Sequence, residues 1–185
     1  VDELAALGVP AFKIASFEIV HLPLLRLVAS KKMPILLSTG MASLGDIEDA
    51  LEAVGMCPVA LLHCVIGYPP PLKDINLRVI TTLRHAFNVP VGYSDHTMST
   101  SLPAAAVASG ACIIEKHYTL DRKMKGPDHP FALEPDELKV MVQAIREVDE
   151  AFGVPVKRLS DSEKEMYRVG RRSLVAARVI EKGKN

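Results

Sequence analysis

The sequence predicts an α/β fold built on a parallel sheet, and two observations carry that expectation. Short apolar, β-branched runs start at residues 11, 34, 59, 90 and 111, and the gaps between them hold segments with helical spacing. Strands joined through a helical crossover run parallel, because tight hairpins join antiparallel neighbours. Most of the runs also end in polar residues: Ser16, then Ser38 with Thr39, then Ser94, then Lys116 with His117. Polar side chains at the carboxyl ends of parallel strands mark the functional face of either a (β/α)8 barrel or an open doubly wound sheet. A barrel takes eight strands in about 250 residues. This chain has 185 residues and five strand candidates, so periodicity alone leaves both architectures open.

In order, the strand candidates are AFKIAS (11–16), PILLST (34–39), VALLHC (59–64), PVGYS (90–94) and ACIIEKH (111–117). Their nearly continuous apolar character fits strands covered on both faces. Helices are expected near 22–31, 44–55, 75–86 and 99–109, with a longer one at 135–152. There Asp136 and Glu137 follow Pro135 and complement the positive end of the helix dipole. Beyond Gly153 the chain turns more polar and ends in one more strand candidate, RSLVAARVI (172–180). That change sets a boundary, with the α/β unit in 1–153 and a linker leading into something else in 154–185.

Composition narrows the function classes. Hydrophobic residues make up 49% and mean hydropathy is +0.19, which gives material for a core and no case for disorder. Lys plus Arg and Asp plus Glu both total 22, so no net field attracts nucleic acid or an anionic membrane. No apolar run approaches the roughly 20 residues that cross a bilayer, and the opening VDELAALGVP lacks the order of a signal peptide. Cys57, Cys64 and Cys112 are odd in number and show no CxxC spacing, which fits a reducing compartment. A soluble, cytoplasmic protein with no nucleic-acid or membrane partner is expected.

Several constellations can carry chemistry. His96 in GYSDHT and His117 in EKHYT each close a strand candidate, so neighbouring strands put both imidazoles at one mouth. Two such histidines can share a divalent cation, with water or substrate oxygens completing its shell, although two unrelated polar strand ends have the same spacing. Asp95 and Glu115 are candidates to orient the rings. Lys13 and Ser16 end the first run and Glu18 follows; a Lys with hydroxyls is an anion-binding set, and ordinary strand-end capping is the alternative. Lys13 and Ser16 differ in parity, so both face one ligand only if the strand is already turning at Ser16. Ser38, Thr39 and Gly40 add donors at the next strand end. GPDHPFALEP (126–135), with Asp128 and His129 at its centre, reads as a lid or as a rigid connector. His21, His63 and His85 read as structural, and Cys64 as a small buried hydrophobe. No GxGxxG follows a strand, which weighs against a dinucleotide site.

KIASFE, LLSTGMASLGDIEDA, LLHCVIGYPPP, GYSDHT, EKHYTLDR, GPDHPFALEPDEL and RRSLVAARVIEKG, taken in order, resemble the sialic acid synthase family. That family includes N-acetylneuraminate, legionaminic acid and pseudaminic acid synthases and spore-coat polysaccharide relatives. The resemblance runs along essentially the whole chain and implies a partial TIM (β/α)8 barrel, its last five βα units, in 1–153. It places the start of a truncated C-terminal antifreeze-like domain in 154–185. It further implies condensation of phosphoenolpyruvate with the aldehyde of an N-acylated hexosamine, N-acetylmannosamine or a diacetamido sugar, giving a nonulosonic acid and phosphate. The enzyme it implies is a metal-dependent transferase, homodimeric in the full-length parent.

By the same resemblance, His96 and His117 hold Mn²⁺ or Mg²⁺ and act in catalysis. Lys13, Ser16, Ser38 and Ser94 match contacts to phosphoenolpyruvate, Glu18 a catalytic carboxylate facing the sugar, Asp128 a sugar-hydroxyl contact and Tyr68 a pocket position. Two departures stand out: Ile66 where many relatives carry Asn, Ser or Thr, and Ala132 where relatives often carry Ser. Ile cannot donate a hydrogen bond, so one phosphoenolpyruvate contact is expected to be lost or taken over by backbone. KIASFEIVHLPLL leans toward the pseudaminic and spore-coat branch and GPDH toward the neuraminate or legionaminate branch. Another phosphoenolpyruvate-condensing or aldolase-type barrel, or a non-catalytic remnant binding sugar or phosphate, are the alternatives.

Overall fold

The computed structural model describes residues 1–183, in two compact units, one spanning Val1–Phe152 and one starting at Gly153. The first unit holds strands β1 (Phe12–Ile14), β2 (Ile35–Ser38), β3 (Val59–Cys64), β4 (Val91–Asp95) and β5 (Ile114–Lys116). They form one sheet in the order β1-β2-β3-β4-β5, and every neighbouring pair is parallel. Helices α1 (Asp2–Ala6), α2 (Leu22–Ala29), α3 (Leu44–Val54), α4 (Val79–Phe87), α5 (Leu102–Ala108) and α6 (Pro135–Phe152) complete the unit.

Local signals set the helix limits. Ser43 caps α3 by a capping box with Asp46, and Gly55, at φ 62, stops it where a side chain would be strained. Asn88, in the left-handed region, ends α4. Helical spacing puts Ile47, Ala50 and Val54 of α3, and Leu25 and Val28 of α2, on buried faces. These pack with Phe12, Ile14, Ile35, Leu37, Leu61, Val91 and Tyr93, which alternation sends to the outer face of the sheet.

The other face is inward and polar at its carboxyl end. Register aligns Cys64 with Ser94 and Ser94 with Glu115, and the same parity carries Lys13 and Ser38. The sheet curls. In a flat sheet β1 and β5 would stand about 19 Å apart, four spacings of about 4.8 Å, yet Nζ of Lys13 lies 3.5 Å from Oε1 of Glu115.

Several expected elements differ in extent or existence; the strand expected over 11–16 is only Phe12–Ile14 and the helix expected over 99–109 only Leu102–Ala108. The strand expected over 111–117 shortens to Ile114–Lys116, which among the described residues pairs with β4 alone. The helix expected over 75–86 starts at Val79, since Asn76 sits at φ 48 behind a 3-10 turn at Leu72–Asp74. In the second unit, Asp161–Glu163 form a 3-10 turn and Lys164–Gly170 form α7. No strand forms at 172–180: Leu174 and Val179 are exposed, and no residue between 153 and 183 forms a strand to pair with.

Candidate active site

The carboxyl end of the sheet gathers nearly all the residues singled out from sequence. His96 follows β4 and His117 follows β5, and their ring centroids are 5.3 Å apart. Both share the parity of the inward residues Ser94 and Glu115, which sends the two imidazoles to one side. Tyr68 stacks on His96 at 4.5 Å and meets His117 edge-on at 5.9 Å. Phe131 closes the group, 5.1 Å from Tyr68 and 4.9 Å from His117. Asp128 reaches this cluster from the loop, with Oδ2 3.9 Å from Nδ1 of His117.

Below the aromatic group lies a polar floor. β1 ends at Ile14 and Ser16 opens a 3-10 turn, so the chain does turn where parity required it. Oγ of Ser16 accepts the Gly40 amide at 2.9 Å, and its own O–H donates to the Cys64 sulfur. Ser38 is buried, and its Oγ has no hydrogen-bond partner. Ser94 donates to Oε1 of Glu115 at 2.7 Å, and that carboxylate also faces Lys13. Gly40 is required here: a Cβ would meet Oγ of Ser16 at 2.8 Å and Cγ1 of Ile66 at 2.9 Å. Ile66 thus lays an apolar side chain against the strand end, where a hydrogen-bonding residue would have faced the floor.

Glu18 ends the turn, exposed, and its carboxylate has no hydrogen-bond or ion-pair partner among the described residues. The segment after β5 is pinned down. Thr119 donates its amide to the Leu133 carbonyl at 3.0 Å, the Leu133 amide donates to the His117 carbonyl at 3.0 Å, and Arg122 pairs with Glu137. That geometry favours the rigid connector over the lid.

Asp95 and Glu115 do not bond the imidazoles directly, contrary to expectation. Strand alternation turns Asp95 to the outer face, where it bonds the Tyr93 hydroxyl, the Thr97 amide and Lys116. Glu115 is inward but engaged with Ser94 and Lys13. Sequence reasoning also missed two contacts. Sγ of Cys64 lies 3.8 Å from Nε2 of His96, and Phe131 packs on His117. The parity that Cys64 shares with the inward face, through its register with Ser94, was the available signal for the first.

Electrostatics follow from burial. Desolvation pushes the His96 imidazole below its ordinary value, His117 adds to the shift, and Glu115, Asp95 and the Val65 backbone oppose it. His96 therefore stays neutral near pH 7, with a lone pair to offer. Burial raises the Cys64 thiol, which keeps it protonated and poorly nucleophilic.

The residues fit an implied divalent cation at the two imidazoles. Nδ1 of His96 is buried without a hydrogen-bond partner, and a neutral ring is the ligating form. Among the described residues no group of three or more His, Cys, Asp or Glu side chains is arranged to hold a metal, so any cation here would take the rest of its shell from water or substrate.

Five consecutive parallel strands curled around a polar interior, with functional groups at their carboxyl ends, define part of a TIM barrel. A truncated 3-deoxy-D-arabino-heptulosonate 7-phosphate synthase from Thermotoga maritima, 18% identical, shares that fold at TM-score 0.73. Residues 1–157 match the NeuB family, and the chain belongs to it. It is 47% identical to N,N'-diacetyllegionaminic acid synthase of Campylobacter jejuni over 99% of this chain and 56% of that protein. It is 46% identical to the Bacillus subtilis spore coat polysaccharide biosynthesis protein SpsE over 80% of this chain and 41% of that one. The N-acetylneuraminic acid synthetase of Leptospira borgpetersenii superposes at TM-score 0.84 with 38% identity, covering 92% of this chain and 62% of that one. The chain spans about half the length of the curated relatives it matches.

Proposed function

We propose that the protein condenses phosphoenolpyruvate with the open-chain aldehyde of an N-acylated hexosamine, releasing phosphate and a nonulosonic acid. One observation carries the reading: the polar floor of Lys13, Ser16, Ser38 and Ser94 gathers at the same carboxyl end of the sheet as the His96–His117 pair. Names of relatives, including legionaminic acid and pseudaminic acid synthases, support the same chemistry.

In this reading the Lys13 ammonium and the three serine hydroxyls hold the phosphate and carboxylate oxygens of phosphoenolpyruvate. The unpartnered Oγ of Ser38 is a ready donor, whereas Ser16 must turn from the Cys64 sulfur and Ser94 from Glu115 to bind. The enol carbon C3 forms a bond to the aldehyde carbon, and the aldehyde oxygen takes a proton. Water adds at C2, the C2–O bond to phosphate breaks, and the 2-keto acid and inorganic phosphate separate. Glu18, exposed beside the floor, moves the proton between that water and the aldehyde oxygen. Asp128 accepts from a sugar hydroxyl, and the Tyr68 and Phe131 rings give the acyl group an apolar wall. A divalent cation, Mn²⁺ or Mg²⁺, held by His96 and His117 would supply Lewis-acid polarisation of the aldehyde.

The proposal extends to the setting. The enzyme works in the cytoplasm as a homodimer, and 154–185 opens an antifreeze-like domain; among the described residues no helix is long and apolar enough to cross a membrane. Phosphate release tests the chemistry. With phosphoenolpyruvate, Mn²⁺ and a panel of N-acetylmannosamine and diacetamido sugars, release should require one sugar and disappear in His96→Ala. Release without any sugar would point to a different reaction.

A further inference from the structure

Asp95 and Lys116 face each other in the β4–β5 ladder, and the next residue on each strand is one of the two site histidines. Both side chains lie on the outer face, and both are shut off from water, at 0% exposure for Asp95 and 4% for Lys116. Nζ of Lys116 donates to Oδ2 of Asp95 at 2.6 Å and to the carbonyls of Thr97 at 2.5 Å and Ser99 at 3.3 Å. Oδ1 of Asp95 accepts the Tyr93 hydroxyl at 3.1 Å and the Thr97 amide at 2.8 Å. Every ammonium proton has an acceptor, and both carboxylate oxygens are engaged. His96 is thereby gripped from both sides, by Asp95 before it and Thr97 after it, and both neighbours bond Lys116, which precedes His117.

A buried ion pair is weak evidence for stability, since desolvation offsets its attraction; fixing register is its better-attested use. β5 needs such a device. A strand of three residues specifies register poorly, and a slip by one turns every side chain to the other face. A slip would bring Glu115 or His117 opposite Asp95, strand the Lys116 charge, and part the two imidazoles.

We propose that Asp95 and Lys116 are positioning residues that hold the His96 and His117 imidazoles at the spacing a shared divalent cation requires. The inference rests on the two-histidine reading above and adds the groups that enforce it.

The test is Mn²⁺ binding, read from loss of the free-ion electron paramagnetic resonance signal, with cooperative thermal unfolding as the check of fold. The double variant Asp95→Asn/Lys116→Met removes both charges together and should weaken Mn²⁺ binding about tenfold, the scale of effects from groups behind metal ligands. Lys116→Arg, which keeps the charge and its donors, should stay within about threefold of the wild type. Tyr93→Phe removes one hydroxyl bond to Asp95, keeps both charges paired, and should weaken binding about threefold. Wild-type affinity in every folded variant would overturn the proposal. Equal Mn²⁺ binding by wild type and His96→Ala would instead overturn the two-histidine reading beneath it.

Discussion

Lys13 and Glu115 meet at 3.5 Å although they stand on opposite edges of the sheet, the first strand and the last. Curvature brings them together, and their pairing places a carboxylate inside the floor that is to receive an anion. Glu115 is therefore the resident counter-ion of Lys13 and holds the Ser94 hydroxyl as well. On the proposed reading, an incoming phosphate or carboxylate must displace it from both.

Glu115→Gln should consequently tighten anion binding. Lys13 and Glu115 are both about a third exposed, so the effect is that of a partly screened charge, about 1 kcal/mol or roughly fivefold in affinity. Calorimetric titration with inorganic phosphate reads it directly. Unchanged or weaker phosphate binding in the variant would show that Glu115 does not compete for Lys13.

Gly40 touches Ser16 and Ile66 too closely for any side chain. Gly40→Ala should push Ser16 out of its hydrogen bond to the residue 40 amide and raise KM for phosphoenolpyruvate about tenfold, with a smaller change in kcat. Ile66→Ala added to it relieves the contact on the Ile66 side but not the one at Ser16. Recovery of KM in the double variant would show that Ile66, not Ser16, had carried the effect.

His63 gives a pH dependence of stability. Its Nε2 lies 2.6 Å from the Ile75 carbonyl, which only accepts, so that nitrogen carries the proton of a neutral ring. Burial holds its pKa in the fold below the ordinary 6.5, with the Ile75 bond opposing. The unfolded chain therefore binds more protons in the window below 6.5, and stability is full above that pH and falls as pH drops toward the lowered folded-state value. His96 acts in the same direction, so the His63 share is the difference between wild type and His63→Gln in urea unfolding at pH 7.5 and pH 5. The loss on acidification should be smaller in the variant; an equal loss would remove His63 as a source.

The fold was legible where the chain itself carries the signal. VALLHC reads as a strand because β3 is central and covered on both faces, and it keeps the same limits in the structure. Likewise, the polar strand ends and their histidines were legible as one group, because parallel strands carry them to the same end of the sheet. What escaped depends on partners. β5 is shorter than its apolar run and among the described residues pairs with β4 alone, and RSLVAARVI forms no strand because none of the described residues of its unit forms one beside it. Asp95 was misread because adjacency in sequence to His96 was weighed above the two-residue period of a strand, which sends the two to opposite faces. Cys64 is the small buried group expected, but its contact with His96 was not legible, because that residue is thirty-two positions away along the chain and comes close only through the β3–β4 register.

The central claim is that this barrel joins the phosphoenolpyruvate carbon chain to an acylated amino sugar. Its most direct test is mass spectrometry of the product formed from carbon-13 phosphoenolpyruvate, Mn²⁺ and the sugar panel. The chain would be assayed alone and fused to the remaining length of the Campylobacter jejuni relative, each with its His96→Ala control. The account predicts a nonulosonic acid carrying all three labelled carbons, formed with one sugar and absent in the His96→Ala protein. Labelled pyruvate and phosphate with no sugar adduct, or an adduct that persists without His96, would contradict it.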